Sequence, residues 1–130
     1  MKGTVAFKYD PATNIVFVED NWEIVSRKDA DEFFEEYRKF FVKLGKKVYL
    51  VAHIDNLRVH AGIADYYGKV SRETIGRYLI DFVRWGTNDR ARMTVRTTSS
   101  KVGISANIYS TRLEAIKAIE EMKQKGQKKV

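Results

Sequence analysis

The stretch "KVYLVAHI" (residues 47–54) decides the fold, because it is a near-continuous apolar run. A strand with one face in water alternates apolar and polar residues, whereas a strand covered on both faces does not. The run therefore predicts a strand at the centre of a sheet, and the rest of the chain can be arranged around it.

A helix is predicted directly before this strand, in "DADEFFEEYRKFFVKLG" (29–45). Asp29 can serve as its N-cap, with Glu32 three residues later as the capping-box partner. Gly45 is a natural end for the helix. The apolar residues that recur at helical spacing are Phe33, Phe34, Tyr37, Phe40, Phe41 and Leu44.

The chain opens with an antiparallel hairpin. Residues 4–10 ("TVAFKYD") alternate, and residues 15–20 ("IVFVED") are rich in β-branched side chains. The intervening "DPATN" has the composition of a turn.

After the central strand, the pattern predicts a helix from near Ala61 and a strand over 78–85 ("YLIDFVRW"). The segment 87–100 is ambiguous. Thr87 or Asn88 could cap a helix there, whereas its β-branched content favours a strand.

A last strand is predicted over 104–109 ("ISANIY") and a last helix over 110–126, with Thr111 and Glu114 as a capping box. Its expected buried stripe consists of Leu113, Ile116, Ile119 and Met122. Strands separated by helices imply parallel crossovers. We therefore expect an α/β fold with a mixed central sheet, an N-terminal hairpin and helices packed largely on one side. Residues 1–125 would form one domain, and 126–130 a basic flexible tail.

This order of elements resembles the STAS family, in particular its short stand-alone bacterial SpoIIAA-like members. The resemblance rests on the opening hairpin, the long helix leading into "VYLVAHID" (48–55), the acidic Asp55 in "DNL", and "ANIY" (106–109) running into "STRLEAIKAI" (110–119). It implies that 87–100 is helical.

The resemblance also implies a regulatory role for the segment that follows the central strand. In anti-sigma factor antagonists this segment carries a serine whose phosphorylation switches partner binding. Here His60, Ala61 and Gly62 occupy that place, and no hydroxyl lies between Asp55 and Ala64. A phosphoryl switch needs an oxygen to modify, so that mechanism does not carry over.

Composition limits the remaining function classes. The chain has 130 residues and no cysteine, which excludes disulfides and thiolate chemistry. No uncharged apolar stretch approaches membrane-spanning length. We expect a soluble cytoplasmic protein without a membrane partner.

Catalysis and metal binding find little support in the sequence. His53, Asp55 and His60 could hold a metal, or Asp55 and His60 could act as an acid–base pair, but no HExxH or GxSxG frame is present. We predict no enzymatic activity, no metal site and no cofactor.

The favoured hypothesis is a regulatory or binding module for a protein partner or an anionic ligand. Its recognition surface would be the loop after the central strand, formed by Asp55, Asn56, Arg58, His60, Tyr66 and Tyr67. The aromatic residues of 33–41 would fill the core or support a homodimer, and a pocket for an apolar or lipid ligand is a further alternative.

Nucleic-acid binding is another alternative, because the net charge of +7 is uneven. Residues 72–101 hold seven basic and three acidic side chains, with Tyr78 and Trp85 available for stacking. The arginines that would make this contact are Arg72, Arg77, Arg90, Arg92 and Arg96.

Overall fold

The computed structural model describes residues 3–103 and 105–128. The elements follow one another as β1 (Gly3–Asp10), β2 (Ile15–Ile24), α1 (Arg27–Leu44), β3 (Val48–His53), β4 (Leu57–Val59), α2 (Ala64–Tyr78), β5 (Leu79–Trp85), α3 (Asp89–Lys101), β6 (Ile108–Tyr109) and α4 (Arg112–Lys128). A single 3₁₀ turn, Ala61–Ile63, precedes α2. The α/β class and the mixed sheet are confirmed.

The sheet has the strand order β1-β2-β3-β5-β6. Only the β1–β2 hairpin is antiparallel among the described strands, and the other pairs are parallel. β3 lies in the middle, as its apolar run predicts. β2 is long enough to pair with β3 over its first half and with the short β4 near its end.

Helices cover the sheet unequally. Three crossovers, β2 to β3, β3 to β5 and β5 to β6, each lead to the next strand in the same direction across the sheet. Right-handed crossovers in one direction place their helices on the same face. The larger core accordingly joins α1, α2 and α3 to one face of the sheet. The other face is covered by α4, where Ala115, Ala118 and Ile119 pack on Ile15 and Val83. Three helices thus lie on one side and one on the other.

The first helix begins earlier than expected. Its N-cap is Ser26, whose Oγ accepts a hydrogen bond from Asp29 N (3.2 Å), so the prediction that Asp29 is the cap is wrong. Asp29 instead lies in the first turn, where its Oδ2 accepts from Val25 N (3.0 Å). These two hydrogen bonds satisfy the amides of Val25 and Asp29, which have no partner within the helix. Gly45 ends the helix in the left-handed conformation (φ 74°), as predicted.

The ambiguous segment is helix α3, capped by Asn88, whose side chain accepts from Ala91 N (2.9 Å). Strand β4, which falls within the predicted loop, was missed.

The predicted buried stripe of α4 is wrong at Leu113, which is 76% exposed, because the helix faces the sheet through Ala115 and Ala118 instead. The predicted strand over 104–109 shortens to β6, and Ile104 lies outside the described residues.

The predicted tail, 126–130, begins within α4, which extends to Lys128, and residues 129 and 130 lie outside the described part of the chain. None of the described helices is both long and apolar enough to cross a membrane.

Candidate functional site

The segment after β3 is held tightly to the sheet rather than forming an open loop. Its strand β4 pairs with the end of β2, and His60 N donates to Ile24 O (2.9 Å). Arg58 Nη1 donates to the backbone oxygens of Asp55 (2.8 Å) and Leu57 (2.9 Å). The Arg58 guanidinium therefore braces this segment.

Asp55 fastens β3 to the start of α3. Its Oδ1 accepts hydrogen bonds from Thr87 N (2.7 Å) and Asn88 N (2.8 Å). Partial burial disfavours the carboxylate, but these amides and His53 outweigh it and lower the pKa of Asp55. A Cβ on Gly86 would lie 2.5 Å from Asp55 Oδ1, so the fit requires glycine there. Asp55 thus occupies the amides that could otherwise receive an anion.

His53 lies between two carboxylates. Its Nδ1 is 2.5 Å from Glu19 Oε2, and its Nε2 is 3.0 Å from Asp55 Oδ2. The ring stacks on Trp85 with centroids 3.9 Å apart. Partial burial opposes the charged imidazole, but the two hydrogen-bonded carboxylates prevail and raise the pKa of His53. Sequence reasoning missed Glu19 because it lies 34 residues away from His53.

The contacts of this cluster leave neither ring nitrogen of His53 open to a metal ion. Both His53 nitrogens already contact carboxylates, and the described residues contain no group of three or more His, Cys, Asp or Glu side chains arranged to hold an ion. His60, the third ligand considered from the sequence, is exposed beyond β4.

The remaining predicted recognition residues separate into surface and core. Asn56 is exposed and donates to Asn21 Oδ1 (3.0 Å). The Tyr66 hydroxyl donates to Asp31, and the Arg27 guanidinium lies 5.0 Å from the Tyr66 ring. Tyr67 is only 5% exposed and belongs to the core, so it does not contribute to a surface.

A groove opens beside this segment, between β4 with the 3₁₀ turn on one side and α3 on the other. We call it the β4–α3 groove. It has a volume of about 190 Å³. Its lining includes Val59, Ala61 and Ala64 on the first side and Met93, Thr97 and Lys101 on α3. Met93 is 68% exposed. Among the four large apolar side chains that are exposed in the described part of the chain, it is the one that lines this groove.

The basic segment does not form a continuous arginine surface. Arg72 donates to Val102 O (2.8 Å), and Arg92 donates to Gly86 O and Tyr109 O (2.8 and 2.9 Å). Arg84 is buried. Arg72, Arg77, Arg90 and Arg96 are exposed.

The aromatic residues that would stack on nucleic-acid bases are already engaged. Tyr78 stacks on Phe41 with centroids 5.6 Å apart, and Trp85 stacks on His53. The four phenylalanines of α1 are likewise occupied. Phe33, Phe34 and Phe41 are buried, and Phe40 stacks on Phe7 at 4.4 Å. These aromatic side chains are thus engaged within the fold, whereas nucleic-acid binding through the exposed arginines and homodimer formation stay predictions.

A second polar cluster lies beneath α1 and α2, in a small cavity of about 30 Å³ that we call the buried cavity. Asp20 and Arg84, 4% and 8% exposed, line it together with Tyr37, Tyr67 and Ser71. Tyr37 donates to Asp20 Oδ1 (2.5 Å). Burial raises the pKa of Asp20 to about 7, despite the opposing effects of Tyr37 and Arg84.

Sequence reasoning missed this cluster, although β2 carried a usable signal. Val16, Val18, Asp20, Trp22 and Ile24 alternate along one strand and therefore point to the same face. A carboxylate in that series had to be either buried or at the end of the strand. Arg84 of β5 lines the same cavity as Asp20 because of the order of the strands in the sheet, and strand order cannot be predicted from a local sequence pattern.

No protein-family model matches the chain, and none of the curated proteins with which it was compared matches it. The STAS resemblance therefore stays a prediction.

Proposed function

We propose that this protein is a non-enzymatic binding module that recognises a protein partner through the β4–α3 groove. The observation that carries the proposal is the exposed Met93 at the edge of an open groove lined by small side chains. Methionine adapts its shape readily and recurs at recognition surfaces. The module would act in the cytoplasm.

The partner that fits this groove presents an apolar side chain flanked by acidic residues. Arg90 precedes Thr94 and Thr97 by four and seven residues, so it lies on the α3 face that lines the groove. Lys101 lies at the other end of the same face. Arg90 would attract a carboxylate at one end. At the other end a carboxylate of the partner would replace Asp65, which pairs with Lys101 (3.0 Å), while the groove covers the apolar residue.

An anionic small ligand fits this segment less well than a protein does. Asp55 already fills the amides at the start of α3, and Arg58 donates to backbone oxygens. Those amides are therefore not free to receive a phosphate, and Nη1 holds the Arg58 guanidinium against the backbone. The surface would act without a phosphoryl switch, because His60, Ala61 and Gly62 provide no hydroxyl.

Capture of partners on immobilised protein tests the proposal. The baits are the wild type, Met93→Asp, and Leu113→Asp as a matched control at an exposed leucine on α4. We expect at least one protein of the host cytosol to bind the wild type and Leu113→Asp and to be lost on Met93→Asp. A purified partner should bind Met93→Asp at least about tenfold more weakly. Equal retention of every captured protein on all three baits would show that the groove is not the binding surface.

A labelled single-stranded oligonucleotide separates this proposal from nucleic-acid binding. Arg90→Gln/Arg96→Gln is the informative variant, because Arg92 supports the fold. A salt-sensitive shift of the oligonucleotide that this variant abolishes would favour the nucleic-acid hypothesis instead.

A further inference from the structure

The buried cavity contains more hydrogen-bond donors than acceptors. Among the described residues, the Arg84 guanidinium donates one hydrogen bond, from Nη1 to Ala106 O (2.9 Å), out of its five N–H groups. Within the same part of the chain, the hydroxyls of Tyr67 and Ser71 make no hydrogen bond to another residue. Trp22 Nε1 is the one fully buried side-chain polar atom there that lacks a partner, so both hydroxyls reach the open space of the cavity. Polar groups inside a protein normally have partners, either in the protein or in a bound molecule such as water.

Asp20, the one carboxylate that lines the cavity in the described part of the chain, does not pair directly with the Arg84 guanidinium. Ala52 on β3 separates Asp20 from Arg84. On one side Ala52 pairs with Arg84 of β5, and on the other side it pairs with Val18 of β2, two residues before Asp20. The described residues show no Asp20–Arg84 ion pair within 4.0 Å. The small Ala52 side chain leaves space between the two charges.

We propose that the buried cavity is a binding site for a small planar oxyanion of the size of formate or nitrate, held by Arg84, Tyr67 and Ser71. A guanidinium matches two oxygens of such an anion with parallel N–H groups. The cavity volume of about 30 Å³ corresponds to about two water molecules, so only the smallest planar oxyanions could take the place of that water, and larger acids are excluded. This site is separate from the β4–α3 groove, and neither proposal depends on the other.

The cavity adjoins a larger cleft between α1 and α2. This outer cleft has a volume of about 320 Å³, and Phe34 and Thr74 line both the cleft and the cavity. Arg38 and Arg77 line the outer cleft. Asp31, Glu35 and Glu73 line the same cleft, and Arg38 is paired with Glu35, so the charges of the cleft do not by themselves favour the entry of an anion.

Proton uptake should accompany binding. An anion beside Arg84 disfavours a charged Asp20, so the bound state prefers the protonated carboxyl. The groups that act on Asp20 are Tyr37 from α1, Tyr67 from α2, Arg84 from β5, His53 from β3 and the neighbouring Glu19. Because the pKa of Asp20 is about 7, its protonated fraction falls about tenfold between pH 6 and pH 8. Anion affinity should fall by about the same factor.

Amide chemical shifts recorded during titration with sodium formate and with sodium nitrate test the site. Sodium gluconate keeps the ionic strength constant, because its anion is far too large for the cavity. We expect saturable shifts at Ala52, Ser71 and Arg84, with about tenfold tighter binding at pH 6 than at pH 8. Benzoate should produce none of these shifts.

Three variants distinguish the contributions of the cavity residues. Arg84→Met should abolish the shifts, Tyr67→Phe should weaken binding several-fold, and Asp20→Asn should retain binding while losing its pH dependence. If Arg84→Met does not fold, Tyr67→Phe and Asp20→Asn decide the question. The proposal is overturned if the wild type shows no saturable shift at pH 6, if benzoate binds as well as formate, or if Tyr67→Phe binds formate with wild-type affinity.

Discussion

Replacing Asp20 by asparagine should stabilise the protein at neutral pH but not in acid. The side-chain oxygen of the asparagine can still accept the hydrogen bond that Tyr37 donates to Asp20 Oδ1. The substitution removes a carboxylate that is 4% exposed and whose negative charge burial disfavours.

The magnitude follows from the proton that Asp20 retains on folding. The pKa rises from 3.8 in an exposed carboxyl to about 7 in the native state. The native protein therefore holds this proton between about pH 4 and pH 7, where the unfolded chain has released it. In that window the native state binds more protons, so the free energy of unfolding falls as pH rises. At 1.36 kcal/mol for each tenfold change in proton affinity, the total effect is about 4 kcal/mol.

Urea unfolding of both proteins from pH 4 to pH 8 measures the effect. The difference in unfolding free energy between Asp20→Asn and the wild type should grow by about 4 kcal/mol across this range and level off above pH 7. Asp65→Asn is the matched control, since Asp65 has a side chain that is 84% exposed and only a surface contact with Lys101. Its difference from the wild type should stay within about 0.5 kcal/mol. A difference for Asp20→Asn that does not change with pH would refute the reasoning.

Two further predictions concern α2 and the His53 cluster. In urea unfolding, Gly68→Ala should destabilise the protein by at least about 1 kcal/mol, because its Cβ would lie 2.8 Å from Thr98 O. Gly76→Ala meets open space and should stabilise the protein by up to about 1 kcal/mol. Stability changes of the same sign for both variants would contradict the close approach of α2 and α3. An NMR titration should place the pKa of His53 above 6.5, and Glu19→Gln should lower it. Since the folded pKa of His53 is raised, its contact with Glu19 stabilises the protein below about pH 6.5, and this stabilisation is lost as the pH rises through the folded pKa. An unchanged titration midpoint of His53 in Glu19→Gln would count against the contact.

The elements that sequence reasoning predicted correctly are those with long, regular patterns. The apolar run around Val51 and the aromatic spacing of Phe33 and Phe41 each extend over enough residues to determine strand or helix. The start of α1 was misplaced because Ser26 and Asp29 both begin plausible capping sequences. Only the pairing of Val25 N with Asp29 shows which of them the backbone uses.

Patterns that involve distant segments were beyond local reasoning. β4 has three residues, too few to show an alternation, and it is stabilised by the end of β2. The β-branched residues of α3 favour a strand, but Asn88 caps the segment as a helix that packs on α2. The recognition loop was expected to combine Tyr66 and Tyr67, yet adjacent residues on a helix point about 100° apart, and only one of them faces the core.

The central claim is that a partner docks on the β4–α3 groove, and site-specific photo-crosslinking tests it most directly. A photoreactive residue in place of Met93 should form a covalent adduct with the partner, whereas the same residue in place of Leu113 should form none. The Met93 adduct should disappear when unlabelled wild-type protein is added in excess. Adducts of equal yield at both positions, or an adduct at Leu113 alone, would contradict the proposed binding surface.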